Sequence, residues 1–82
     1  MIKILYFGRL RENAGRREQT MDLPEGVATI SALKQWLNTA HELCGALDDP
    51  SVKTMVDQTL IHDDVALKGN EEIGFLPPVG GG

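Results

Sequence analysis

Glu72-Ile73-Gly74-Phe75-Leu76-Pro77-Pro78-Val79-Gly80-Gly81-Gly82 closes the chain, and its reading decides the fold. The apolar and aromatic residues from Ile73 to Leu76 mark a strand. The two prolines lack the N–H that a sheet ladder needs, so they end it. The glycines that follow carry no side chains and have wide backbone freedom. Extended, residues 77–82 reach about 20 Å at roughly 3.3 Å per residue, slender enough to thread a narrow channel. The one distinctive group of this tail is the carboxylate of Gly82. A strand that runs directly into such a tail presents its end at a defined place.

The other strongly apolar stretch is Ile2-Lys3-Ile4-Leu5-Tyr6-Phe7. Ile2, Ile4 and Tyr6 share one face of a strand, and Lys3, Leu5 and Phe7 the other. Only Lys3 is strongly polar, so a central strand buried on both sides for much of its length is expected. First and last strands are the most apolar and are placed adjacent and parallel in the sheet centre. Gly8 to Gly15 reads as a polar connection. Glu18 to Leu23 alternates, with Gln19, Met21 and Leu23 on one face, as in a half-exposed antiparallel strand, and Pro24-Glu25-Gly26 stops it. Thr29 or Ser31 can cap the helix that follows. Its apolar stripe is Ile30, Leu33, Trp36, Leu37 and Ala40, which makes Trp36 a core residue. His41 to Leu47 either continues this helix or begins a short second one, and Asp48-Asp49-Pro50 breaks it. Val52 to Ile61 reads as strand, strongest from Val56 to Ile61, and His62-Asp63-Asp64 as a solvated turn.

The order strand, strand, helix, one or two strands, strand predicts an α+β fold with one main helix packed across one face of a mixed sheet. Residues 1–76 form the domain and residues 77–82 the tail.

Composition narrows the class. Eighty-two residues with 41% hydrophobic content make one small domain with a core near the lower size limit. No apolar run is long enough to cross a membrane, and the start lacks the pattern of a signal peptide. One cysteine, Cys44, cannot form an internal disulfide, so a cytoplasmic location is expected. The net charge of -4 is unevenly placed. Residues 1–40 carry six Lys/Arg against four Asp/Glu, and residues 41–82 carry two against eight. The acidic second half argues against nucleic acid and for a partner with a basic face. Arg9, Arg11, Arg16 and Arg17 cluster in what reads as a solvated loop.

Conventional catalytic constellations are missing. His41 and Cys44 stand at helical spacing, but no third ligand completes a metal site. Nothing near Cys44 depresses its pKa, so a small apolar role suits it better than that of a nucleophile. The reacting group is then the chain's own end. A carboxylate is a poor electrophile until an acyl-phosphate anhydride with a nucleotide supplies a leaving group. A sulfur nucleophile can displace the nucleotide and leave a C-terminal thiocarboxylate. Glycine suits that terminus because a Cβ would obstruct entry into both an activating and an accepting site.

Met1-Ile2-Lys3-Ile4-Leu5-Tyr6-Phe7-Gly8, Val56-Asp57-Gln58-Thr59-Leu60 and the closing stretch from Glu72 to Gly82 resemble the small-subunit family of molybdopterin synthase, the sulfur carriers known as MoaD. The resemblance spans nearly the whole chain, and its most specific part is the apolar strand entering Pro-Pro-Val-x-Gly-Gly. It implies a ubiquitin-like β-grasp fold. It also implies that an ATP-dependent, MoeB-like enzyme adenylates Gly82, which then becomes a thiocarboxylate. The tail would enter a large, MoaE-like catalytic subunit and give sulfur to cyclic pyranopterin monophosphate, in a heterotetramer. The chain itself would bind no cofactor and hold no catalytic side chains.

By the same resemblance, Leu60, Phe75, Leu76, Pro77, Pro78, Val79, Gly80 and Gly81 would contact partners; ordinary core or sheet packing is the alternative for Leu60, Phe75 and Leu76. Three positions depart from the family's pattern: Asp57 where asparagine is common, Leu76 where an aromatic is frequent, and Gly80 where a small side chain is typical. A carrier for thiamine or for a tungsten cofactor, a ubiquitin-like modifier and a binding module with an inert tail are the rival readings.

Overall fold

The computed structural model describes residues 1–43 and 45–77. Five strands form one mixed sheet: β1 (Ile2–Tyr6), β2 (Glu18–Met21), β3 (Lys53–Val56), β4 (Thr59–Ile61) and β5 (Glu72–Leu76). Their order across the sheet is β2-β1-β5-β3-β4. β1 and β5 run parallel, with Ile4 opposite Ile73 and Tyr6 opposite Phe75. The other pairs are antiparallel. The two most apolar strands are therefore neighbours, and the strand that enters the tail holds the middle place.

Helix α2 (Ile30–Ala40) covers one face. Ile2, Ile4, Tyr6, Ile73 and Phe75 meet Ile30, Leu33 and Leu37 in a continuous core, joined by Leu10, Leu43, Leu47 and Leu67. The start of α2 is fully satisfied. The Ile30 amide donates to the Val65 carbonyl, the Ser31 amide to Asp64 Oδ1 at 2.9 Å, and the Ala32 amide to Thr29 Oγ1 at 3.2 Å. Helix ends leave such donors without intrahelical partners. Thr29 is the cap, and Asp64, read from sequence as a solvated turn residue, closes the helix from across the fold.

Three expectations are corrected, and one alternative is decided. The first strand is buried on one side only: Lys3 is exposed and Leu5 and Phe7 are half-buried, because a single helical layer leaves the other sheet face open. The stretch expected as a polar connection holds a short helix, α1 (Arg9–Ala14), whose apolar pair Leu10 and Ala14 packs into the core. Gly15 ends it in the left-handed region, its amide bonded to the Arg11 carbonyl. Arg9 and Arg11 are thus helical. Trp36 is 37% exposed, so the buried stripe of α2 is narrower than its apolar periodicity. The helix stops at Ala40, and a 3-10 turn follows at Ala46–Asp48. Asn38 staples that turn to α2, its Oδ1 accepting from the Leu47 amide and its Nδ2 donating to Asp48 Oδ2.

The segment from Val52 to Ile61 is a hairpin. Asp57 and Gln58 between β3 and β4 both have positive φ, 49° and 70°, which is the two-residue turn that matches the twist of paired strands. Asp57 tolerates that region and ties the turn to β5. Its amide donates to the Glu72 carbonyl, and its Oδ1 accepts from the Glu72 amide at 3.0 Å. Before β5, Glu71 folds a loop around its own buried carboxylate, which accepts from the amides of Lys68, Gly69 and Asn70. Burial works against the charged form there, but these backbone donors outweigh it and hold the carboxyl below its ordinary range.

Candidate functional site

The tail leaves the sheet from its middle. β5 has a neighbour on each side, and the pairing with β1 continues one residue past the strand, where the Phe7 amide donates to the Phe75 carbonyl at 3.1 Å. Pro77 then packs against Gly8. A Cβ on Gly8 would stand 2.7 Å from Pro77 Cγ, and Gly8 has φ +54°, so both the space and the backbone at this position call for glycine. The root of the tail is consequently fixed. Of the residues expected to act, Gly82, Gly81, Gly80, Val79 and Pro78 lie outside the described residues, as does Cys44.

The open face of the sheet spreads around that root. Leu5, Phe7, Met55 and Leu76 are half-buried on it, and Leu60 is 51% exposed. Gly74 forms the floor between them: a Cβ there would lie 3.1 Å from Met55 Cε and 3.2 Å from Phe7 Cε2. Glycine lets those two side chains close over the strand. Charged groups edge the patch, including Lys3 and Glu18, paired at 3.3 Å. An apolar patch with a polar rim is suited to docking another protein. Beside the root, Leu5, Tyr6, Phe7, Arg11, Arg17 and Glu18 line a concavity of about 330 Å³. Arg11 Nε donates to the Tyr6 carbonyl at 3.1 Å, so one arginine of the basic cluster is anchored at the tail's base.

Leu60 and Leu76 share this open face. Phe75 does not. Its side chain is 0% exposed and stacks on Tyr6 with ring centroids 6.2 Å apart, so it is core, the alternative weighed for it from sequence. Strand alternation puts it on the helix side while Leu76 points away. Leu5, Phe7, Met55 and Gly74 were missed as site residues. A glycine inside an apolar strand was the available signal for Gly74, since it marks a close approach.

The histidines form no catalytic array. His41 Nε2 lies 2.9 Å from Gln19 Oε1. That oxygen accepts, so the nitrogen donates. Tyr6 donates to the same oxygen at 3.2 Å, and its ring meets His41 edge-on. Burial, and then the Arg16 charge, lower the His41 pKa. This network joins β1, β2 and the end of α2. Among the described residues, no three His, Asp or Glu side chains gather at metal-binding spacing, and no helix is long and apolar enough to cross a membrane.

Residues 4–82 match the ThiS family. The molybdopterin synthase sulfur carrier subunit of Escherichia coli K12 is 36% identical to this chain over the full length of both. The protein of the same name from Chlamydomonas reinhardtii is 41% identical, over 99% of this chain and 98% of its own. Among solved structures, the small archaeal modifier protein 1 of Methanosarcina acetivorans superposes with a TM-score of 0.78 at 26% identity, covering 99% of this chain and 95% of that one.

Proposed function

Because the chain belongs to the ThiS family and has its expected ubiquitin-like β-grasp fold, we propose that it is the sulfur-carrier subunit of a molybdopterin synthase. The observation that carries this reading is full-length similarity to relatives of that name. The fixed tail root and the apolar face around it support it physically. A carrier must offer one end to two different enzymes in turn, and a shared docking face beside a rigid exit serves both.

In this reading a MoeB-like enzyme uses ATP to convert the Gly82 carboxylate into an acyl adenylate, releasing pyrophosphate. A sulfur nucleophile then displaces AMP, and the product is a thiocarboxylate. The tail enters a MoaE-like large subunit, where the sulfur passes to cyclic pyranopterin monophosphate. Catalytic side chains belong to the partners, and this chain is consumed and recharged in the cytoplasm. Leu60, Leu76 and Pro77 contribute to docking, and Pro78 to Gly81 to threading.

The test is the mass of the isolated C-terminal peptide from protein produced together with its activating enzyme. Isolation matters because exchanging oxygen for sulfur adds nearly the mass of one oxidation at methionine or Cys44. A mass increase confined to Gly82, at a group that reacts further with a thiol alkylating agent, is expected. An unmodified Gly82 under active machinery overturns the proposal. The likeness to the archaeal modifier protein favours a second reading, in which Gly82 is linked to lysines of target proteins. Gly82–lysine conjugates recovered from cells would select that one.

A further inference from the structure

We propose that the groove between α2 and the β3–β4 hairpin is a binding site for an arginine side chain of a protein partner. The groove encloses about 310 Å³ beside the first turn of α2. It opens at the same end of the sheet as the tail root, since Lys53 pairs with Leu76 and Thr54 with Ile61. Arg9 and Arg11 stand on α1, which contacts β1, the neighbour of β5 on the side away from this groove.

Four carboxylates line the groove, those of Asp48, Asp49, Asp63 and Asp64. Three are already oriented. Asp48 Oδ2 accepts from Asn38 at 3.0 Å. Asp49 Oδ1 accepts from both the amide and hydroxyl of Ser51, and Asp64 Oδ1 from the amides of Ser31 and Val65. Asp64 also takes a hydrogen bond from the Ser31 side chain and feels the Lys34 charge, and groups held in place before binding lose little freedom on binding. Those same hydrogen bonds lower the pKa values of Asp49 and Asp64, which keeps both charged. Asp63 has no hydrogen-bond or ion-pair partner among the described residues.

The independent sign of a ligand is Thr54. It lies in the lining of the groove and is 4% exposed, and its Oγ1 is buried with no hydrogen-bond partner. A buried hydroxyl left unpaired is costly, and one at the base of a polar groove marks a place for an external donor. Ile30, Val52 and Ile61 supply apolar wall for an alkyl stem.

Charge and spacing select the occupant. The carboxylates outnumber the two lysines of the groove, Lys34 and Lys53, so a cation is favoured over an anion. The acids do not converge at metal spacing, which disfavours a bare divalent ion. A guanidinium presents five N–H donors in a planar fork and can reach separated acceptors together.

The experiment needs only the full chain, so its outcome does not depend on the sulfur-carrier reading. N-acetyl-arginine-amide is titrated at low ionic strength and followed by amide NMR. Saturable shifts at Ser31, Thr54 and Val65 are expected, with none from the neutral isostere N-acetyl-citrulline-amide. Asp49→Asn with Asp63→Asn should weaken binding about tenfold, as two partly exposed charge pairs would. Thr54→Val, similar in shape, should fold at least as stably and bind the probe several-fold more weakly. Absence of saturable shifts, an equal response to the citrulline probe, the same amides moving with inorganic phosphate, or unchanged binding by Thr54→Val would each overturn the assignment.

Discussion

Raising the pH from neutral to about 11 should unfold this domain's advantage at one identifiable proton, that of Tyr6. It is the chain's single tyrosine, stacked on Phe75 and donating to Gln19. Burial pushes its phenol up to about 12 from an ordinary value of 10.0, against the opposing pull of the Arg16 charge. Below the unfolded value both states keep the proton, and stability is complete. Above it the unfolded chain ionises first, so stability falls until the folded value is passed. That gap is worth at most about 2.7 kcal/mol, of which roughly 1.4 kcal/mol is gone near pH 11.

The comparison that isolates this proton is with Tyr6→Phe. That variant keeps the ring stack and loses the hydroxyl bond, costing about 1 kcal/mol at neutral pH. The wild-type lead of about 1 kcal/mol should therefore vanish near pH 11. Urea unfolding of both proteins across the window, followed by the fluorescence of Trp36, measures it. Tyrosinate absorbance of the folded chain gives the pKa directly. A folded-state midpoint near the ordinary tyrosine value, or a stability difference constant across the window, would refute the reasoning.

Two further outcomes follow from the open face and the Glu71 loop. Leu60→Ala removes a side chain that is 51% exposed, so folding stability should change by under about 1 kcal/mol, while binding to the large synthase subunit weakens about tenfold. Calorimetry of that complex decides it, and an unchanged affinity would remove Leu60 from the docking face. Glu71→Gln replaces an oxygen that accepts from the Lys68 amide by a donor, and should cost about 2 kcal/mol. Because the folded pKa of Glu71 is lowered from 4.5, this contribution is present above that value and is lost as pH falls through the folded one. The difference between wild type and Glu71→Gln should thus shrink in acid, and urea midpoints at neutral and acidic pH measure it.

The parts legible in sequence were those written locally. Alternation and aromatic content identified the strands from Ile2 and to Leu76, and their shared apolarity placed them side by side. The capping Thr29 and the stripe Ile30, Leu33 and Leu37 identified the helix. Other parts are decided at long range. The open face of β1 has the same local composition as a buried one, and only the presence of a single helical layer leaves Leu5 and Phe7 uncovered. α1 has too few apolar positions for a periodic signal to rise above its arginines. The hairpin turn at Asp57-Gln58 lacks the glycine that usually announces it. Nothing near Asp64 in sequence says that it will meet the Ser31 amide, 33 positions away. The tail's composition is written at one end of the sequence, whereas the apolar patch around its root depends on which strands become neighbours.

That neighbourhood also explains why a carrier built on this sheet keeps its last strand in the middle. A parallel pair is joined by a crossover connection rather than a tight turn, and α2 with its flanking segments makes that crossover between β1 and β5. Edge strands have unpaired backbone groups on one side and open at low free energy, while central strands open only with the whole domain. β2 and β4 occupy the edges here. Fraying of either leaves β5 paired on at least one side, with Pro77 still seated on Gly8. A last strand at the edge would release Pro77 from Gly8 whenever it frayed. Central placement decouples the root of the tail at Pro77 from the loosest motions of the fold.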